Sequence, residues 1–438
     1  MTVRPPAGRR TGLMPDADLP RLREELTLAY ERTRLARAKF DAAGRRPADV
    51  RDPADLALVP LTTRAEYRQA FPAGVLVDGA TLNDPMVVRS RSSGTAHERL
   101  LSADYAFTLA ERRFGALDVH PELMALLADP ETRRSVRYAA PNCSDVECSL
   151  PQVTMADRIL PNGMLVLPSA HDLYTTPETM LRKAWDEIAE WEPDYLSCDP
   201  TRFAHLTRAA EERGWKPDGA GLPGRALVMT YNFAPAFATA HLRSRLPAGM
   251  LVASSVTMSE FGWVAASCPD GTLHLNTAAF WMELLDGDGR PVGPGEIGEL
   301  IVTTLGDPLS PRVRYRTGDL YRWLDGCPCG HPHPAVRFEG RDRDAVRCQD
   351  GTRLTTRGLD DLVGAPEHLI AYKFHQHAPD RAEFRYVSDR GALPGWEREL
   401  TEALAGRLGA GCRVDVAAAP VLPSERSGKF LTCTTSLT

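Results

Sequence analysis

Three short segments of the sequence carry residue types suited to phosphate and sugar chemistry. Ser92-Ser93-Gly94-Thr95 joins hydroxyls to a glycine, and such runs let backbone N–H and side-chain O–H groups converge on phosphate oxygens. In Tyr315-Arg316-Thr317-Gly318-Asp319-Leu320, an aspartate at the end of an expected strand can accept hydrogen bonds from both hydroxyls of a ribose. Ser427-Gly428-Lys429-Phe430 presents a lysine on a loop, where it can neutralise phosphate charge as a point cation. Lys429 is one of only five lysines among 52 basic residues. Taken singly, each segment also suits a surface turn, a turn aspartate or a solvated tail.

The elements that must position these residues follow from hydrophobic spacing. A first helix is expected from Asp18 to Phe40, with Leu22, Leu26, Ala29 and Thr33 on one face. From Ser135 onward, apolar runs alternate with helical patterns. Strands are read at Gly163 to Pro168, Tyr195 to Cys198, Ala226 to Thr230 and Met250 to Val256. One intervening helix carries Leu181, Trp185 and Ile188, and Asp199-Pro200 caps the next. Such alternation predicts an α/β domain with a largely parallel sheet. Near Trp281 the texture changes to turns and β-branched strands, which read as antiparallel hairpins. After Gly340 a compact α+β unit begins, with a helix near Thr356, strands at Leu369 to Phe374 and Ala382 to Val387, and a helix from Pro394.

The 438 residues, 43% hydrophobic and 25% charged with a net charge of −6, imply two or three domains. They exclude collagen-like, disulfide-scaffold and disordered chains. The mildly acidic balance argues against a nucleic-acid binder, which would show a basic domain or stripe. No apolar run reaches the ~18 residues of a membrane span, and Met1 to Met14 lacks a signal-peptide core. Nine scattered cysteines fit a reducing compartment. The expectation is a soluble, cytoplasmic protein.

In their order and spacing, the three segments together resemble the superfamily of adenylate-forming enzymes and, within it, the phenylacetate–CoA ligase family. The resemblance runs nearly end to end. Ala29-Tyr30-Glu31-Arg32, Phe40-Asp41-Ala42-Ala43-Gly44 and Leu61-Thr62-Thr63 look like that family's opening helix and its Pro-Leu-Thr-Thr-Lys segment. Thr257-Met258-Ser259-Glu260 stands where the family has a Tyr-Gly-x-Ser/Thr-Glu stretch. Gly340-Arg341-Asp342-Arg343-Asp344 and the distinctive Cys327-Pro328-Cys329-Gly330 complete the set.

The resemblance implies an α/β fold in two parts. Residues 1–340 would form a large domain with mainly parallel sheets plus an antiparallel, barrel-like part. Residues 341–438 would form a small, mobile α+β domain carrying the lysine. Ser92, Ser93, Gly94 and Thr95 would surround the ATP phosphates, Glu260 would help hold Mg²⁺, and Asp319 would bind the ribose. Arg341 would reach the nucleotide, Asp344 would form the hinge, and Lys429 would touch the carboxylate and α-phosphate. Cys268, His274, Cys327 and Cys329 match positions of a zinc site in relatives, and three sulfurs with one nitrogen suit tetrahedral Zn²⁺. The alternative is free cysteines in a tight turn.

Departures from the family pattern bear on the substrate. The phosphate loop continues as Ala96-His97-Glu98-Arg99 where the family has Thr-Gly-x-Pro, and the stretch from Tyr231 to Pro235 replaces its Gly-Ala-Glu-Pro. Asn142 to Cys148 replaces a glycine-rich aromatic run, so Asp145 or Glu147 in the pocket could pair with an amine on the substrate; both also suit a surface loop. The expected function is ATP- and Mg²⁺-dependent activation of a small aromatic or amino-bearing carboxylic acid as its acyl-adenylate, with transfer to CoA. An amine, another nitrogen nucleophile or a carrier protein in specialised biosynthesis is the alternative acceptor. A non-catalytic acid- or nucleotide-binding homologue is the alternative class, and a homodimer is compatible with the resemblance.

Overall fold

The computed structural model describes residues 13–92, 100–129, 131–132, 134–140, 154–215, 224–409 and 411–437. Its largest element is an 11-stranded sheet of two characters. In spatial order, Met164–Val166, Ser135–Tyr138, Tyr195–Cys198, Ala226–Met229 and Leu251–Met258 run parallel. The inner strands are apolar on both faces, Ala-Leu-Val-Met being wholly buried, because helices such as Glu178–Trp191 and Pro200–Glu212 cover them. Asp199 caps the second of these helices by accepting from the backbone N–H groups of Thr201 and Arg202.

The strand Leu251–Met258 belongs to both halves. Its first residues pair in parallel with Ala226–Met229, and its last pair antiparallel with Gly262–Ser267. From there the sheet continues through Leu273–Leu275, Ala335–Arg341, Tyr315–Trp323, Ile297–Thr304 and Phe280–Leu285, all antiparallel. The switch thus delivers Ser259 and Glu260 at the junction of the two halves.

The N-terminal segment packs on the antiparallel half, with Leu22, Leu26, Ala29 and Phe40 in one apolar cluster with Phe280, Trp281 and Val302. It is two helices, Leu19–Arg32 and Arg34–Ala42, rather than the single helix that the spacing predicts. Thr33 is extended, with φ −126° and ψ 139°, and its hydroxyl donates to the Ala29 carbonyl at 2.8 Å. The chain bends there so that the Leu35 N–H can reach the Gly74 carbonyl.

Helix Ala106–Leu117 is locked by charge. Arg112 and Arg312 each pair with both Asp104 and Asp307, at 2.7 to 3.1 Å, and all four side chains are almost completely buried. A buried quartet with matched charges and directional bonds fixes the helix against the loop before strand Tyr315–Trp323; removing one member leaves an uncompensated charge, a loss of about 3–5 kcal/mol.

The last part of the chain forms a separate four-stranded sheet. Hairpin Leu369–Ala378 and Arg381–Ser388 is flanked in parallel by Cys433–Thr435 and Arg413–Ala418, with helices Thr356–Val363 and Pro394–Leu408 against it. The large α/β part with parallel and antiparallel sheet, followed by a small α+β unit, is the fold class expected from the sequence. The small unit packs on the large one through rings, Phe237 against Tyr372 at 5.7 Å and Tyr174 against Phe430 at 5.5 Å. Among the described residues, no helix is long and apolar enough to cross a membrane.

Candidate active site

Two adjoining cavities, of about 890 and 380 Å³, meet where the small unit touches the large one. Tyr231, Thr257, Asp319, Arg341 and Lys429 line both, so residues far apart in sequence converge on one cleft. Lys429 enters from the small unit. Its loop lies between strands Arg413–Ala418 and Cys433–Thr435, and Lys429 Nζ donates to the Tyr231 carbonyl at 3.0 Å. Tyr231 holds a left-handed backbone, φ +71°, rare for a bulky residue.

The lysine loop is tied down by residues that the sequence reading did not single out. Arg202, fully buried, donates to the Gly428 carbonyl at 2.5 Å and to Ser169 Oγ and the Ala170 and His171 carbonyls at 2.8 to 2.9 Å. Asn232 donates to the Phe430 carbonyl at 2.8 Å. Within the small unit, Lys373 pairs with Glu425 at 2.7 Å.

Asp319 lies in the middle of strand Tyr315–Trp323 and not at a strand end, which corrects the sequence expectation. Gly318, at φ +74°, and register shifts on both neighbouring strands break the ladder around it, so the irregularity does what a strand end would have done. Burial pushes the Asp319 carboxyl up to about 6, with Glu260 adding to the rise and Arg341 and Lys429 opposing it. Arg341 Nε lies 3.5 Å from Asp319 Oδ1, and the two residues are register partners in adjacent strands. Asp344 follows in the connecting turn, its carboxyl raised mainly by burial.

Glu260 is buried, accepts from Tyr315 OH at 3.0 Å and lies 3.7 Å from Arg64, both through Oε1. Arg64 also donates to Ser92 Oγ at 2.7 Å, so it bridges Ser92 and this carboxylate. Arg64 follows directly on Leu61-Thr62-Thr63, and that adjacency was the available signal. Ser92 Oγ accepts from the Leu100 N–H as well. Ser93, Gly94, Thr95 and the following Ala96 to Arg99 lie outside the described residues, as do Asp145 and Glu147.

A second cluster lies outside the residues that line the two cavities. The donor atoms of Cys268, His274, Cys327 and Cys329 all lie within 4.8 Å of one another. Cys268 Sγ is 3.7 Å from Cys327 Sγ, and Cys329 Sγ is 3.4 Å from His274 Nε2. A tetrahedron with Zn–S of about 2.3 Å and Zn–N of about 2.0 Å has edges of roughly 3.5–3.8 Å, so the spacing fits. His274 Nδ1 lies 2.9 Å from the His333 carbonyl. A carbonyl only accepts, so Nδ1 carries the proton and Nε2 turns its lone pair toward the thiols. His331 pairs instead with Asp118 at 3.3 Å.

No protein-family profile matches the chain. Over 355 residues it is 28% identical to the phenylacetate-coenzyme A ligase of Escherichia coli (strain K12), an alignment that spans 80% of this chain and 76% of that protein. Among solved structures, 2-hydroxyisobutyryl-CoA ligase in the postadenylation state, in complex with 2-HIB-AMP, superposes with a TM-score of 0.70 at 18% identity over 97% of this chain and 92% of that one. The same ligase in the thioesterification state, with 2-HIB-AMP and CoA, gives 0.56 at 17% identity over the same shares.

Proposed function

Since the chain belongs to the adenylate-forming superfamily, as a phenylacetate–CoA ligase-like protein, we propose that it activates a small carboxylic acid as its acyl-adenylate and transfers the acyl group to CoA. The observation that carries this reading is the entry of Lys429 from the small unit into the cleft lined by Glu260, Asp319 and Arg341. Phe114, Tyr195, Tyr231 and Trp263 on the cleft walls favour an aromatic acid, with or without an amino group.

In the first half-reaction a carboxylate oxygen of the acid attacks the α-phosphorus of ATP, and pyrophosphate leaves. Anions must approach one another, so the step is governed by charge screening and alignment. Lys429 Nζ neutralises charge between the attacking carboxylate and the α-phosphate. Asp319 accepts from the ribose hydroxyls, and Arg341 holds that carboxylate in place. Ser92, with Ser93, Gly94 and Thr95, would contact the ATP phosphates, and Arg64 holds Ser92 Oγ.

Glu260 is the carboxylate for Mg²⁺ in this reading. Its Oε1 is engaged by Tyr315 and Arg64, whereas no partner of Oε2 occurs among the described residues. One carboxylate plus substrate phosphates suits an ion that keeps most of its waters, and Mg²⁺ supplies further screening of the triphosphate when bound. Cys268, His274, Cys327 and Cys329 would hold Zn²⁺ as a closed, structural site, since all four positions come from the protein. In the second half-reaction the small unit turns about Asp344, Lys429 withdraws, and the thiol of CoA attacks the acyl carbonyl with loss of AMP.

The experiment is acid-dependent pyrophosphate release from MgATP with a panel of aryl and amino-aryl acids, comparing wild type with Lys429→Ala. Removing one such stabilising cation lowers the rate by about 10²–10³-fold. Release that survives the substitution would refute the assignment of Lys429. AMP release that depends on CoA supports the thioester product, and pyrophosphate release without it would point to an amine or carrier-protein acceptor.

A further inference from the structure

One wall of the larger cavity carries a charge that the adenylation chemistry leaves unused. Helix Ala106–Leu117 turns Leu109, Ala110, Arg113 and Phe114 toward the cleft. The carboxylates among the described lining residues, Glu260, Glu299, Asp319 and Asp342, pair with Arg64, Arg316, Arg341 and Arg353 respectively. Arg113 pairs with none of them. Its guanidinium lies over the Trp263 ring, 5.7 Å from the centroid, and Nη2 lies 3.5 Å from Tyr195 OH. Its Nε is buried with no hydrogen-bond partner among the described residues. A buried N–H is costly unless something accepts from it.

The location of Arg113 relative to the reacting carboxylate can be traced through the strand Tyr195–Cys198. Ser197 donates to Tyr231 OH at 3.3 Å, and Tyr231 is the residue whose carbonyl receives Lys429. Tyr195, which Arg113 approaches, lies two positions back on the same face, ~7 Å along the strand. Arg113 therefore lies about one strand step deeper in the cleft than the Tyr231–Lys429 pair. Its helix cannot swing away, because the neighbouring Arg112 is held in the buried quartet with Asp104, Asp307 and Arg312.

We infer that the acid taken by this cleft carries a second carboxylate at its far end, and that Arg113 binds it. The inference rests on the adenylation reading above and narrows its substrate class to dicarboxylic acids, aromatic in their middle to match Phe114 and Trp263. A guanidinium fork beside an indole ring suits a carboxylate better than a lone ammonium would, because its N–H edges are directional.

The test uses benzoate against benzene-1,3- and benzene-1,4-dicarboxylate, with wild type, Arg113→Met and Arg113→Lys. Isothermal titration of each acid, with and without MgATP, measures binding apart from turnover; pyrophosphate release measures turnover. The expected result is a ten- to hundredfold tighter Kd for a dicarboxylate than for benzoate in wild type, the size of one charge-assisted hydrogen bond. That preference collapses in Arg113→Met and returns in part in Arg113→Lys, with melting temperatures that report folding. Equal binding of mono- and dicarboxylates by wild type, binding of neither, or a preference unchanged in Arg113→Met would overturn the inference. Dicarboxylate binding at Arg113 without any pyrophosphate release would uphold it while refuting adenylation.

Discussion

Replacing Arg202 with lysine separates the role of the docked lysine loop from the stability of the fold. The guanidinium reaches four acceptors at once, three in the large unit and one, the Gly428 carbonyl, next to the lysine. A lysine ammonium keeps the buried charge but cannot span that set from a single atom. Loss of the charge-assisted bond to Gly428 removes about 1.5–3 kcal/mol from docking. At about 1.4 kcal/mol per factor of ten, the docked population and the rate of adenylation fall by up to roughly 10–150-fold. Acid-dependent exchange of labelled pyrophosphate into ATP reads the first half-reaction, and thioester formation from supplied acyl-adenylate and CoA reads the second. Ser169→Ala is the control, because it removes an acceptor of Arg202 on the large-unit side alone and should lower the melting temperature without changing the ratio of the two rates. The expected result for Arg202→Lys is a fall in exchange with thioester formation preserved. Parallel loss of both activities, or no loss of exchange, would refute the argument that Arg202 acts by holding Gly428.

Two further predictions follow from the same geometry. Asp319 is raised to about 6 by burial, with Glu260 contributing, and in its proposed role would have to be ionised to accept from two ribose hydroxyls; kcat/KM for ATP should therefore fall as pH drops through about 6. Asp319→Asn should lower it at every pH and erase that limb, and an unchanged profile would contradict the role. Raised pKa also means that proton binding by Asp319 favours the folded state: this contribution is complete below the unfolded carboxylate value and is lost as pH rises through about 6. Purified protein should contain one Zn²⁺ per chain by elemental analysis, and Cys329→Ser or a strong chelator should remove it and lower the melting temperature; a metal-free protein with an unchanged melting curve would point to free thiols instead.

Glu260, Asp319, Arg341 and Lys429, which the structure brings to one cleft, were legible because each sits in a short segment with its own grammar. Asp199 caps a helix through its nearest neighbours, and buried strands such as Ala226–Met229 announce themselves as apolar runs. What escaped the sequence depends on partners far along the chain. The bond from Arg202 to Gly428 joins residues 226 positions apart, and that from Asn232 to Phe430 spans 198. Neither residue stands in a pattern that marks it. The break at Thr33 was hidden for a similar reason, because the helical period persists across it while a distant carbonyl, that of Gly74, decides the bend. Asp319 was given the right neighbours but the wrong backbone, since a bulge created by register shifts on both sides is a property of three strands together.

The pairing of Asp319 with Arg341 has a consequence for economy of ATP use. Both residues lie in the antiparallel sheet, upstream of Asp344 in the chain, so a turn of the small unit about Asp344 leaves their ladder intact. In the proposed cycle the grip on the ribose would thus belong to the stationary part, and only the lysine would leave. An acyl-adenylate is a mixed anhydride that water destroys; held by its sugar throughout the proposed rearrangement, it would pass from one catalytic geometry to the next without a dissociation step. In the proposed cycle this two-residue register would limit loss of the intermediate by dissociation, and so raise the ratio of thioester formed to ATP consumed.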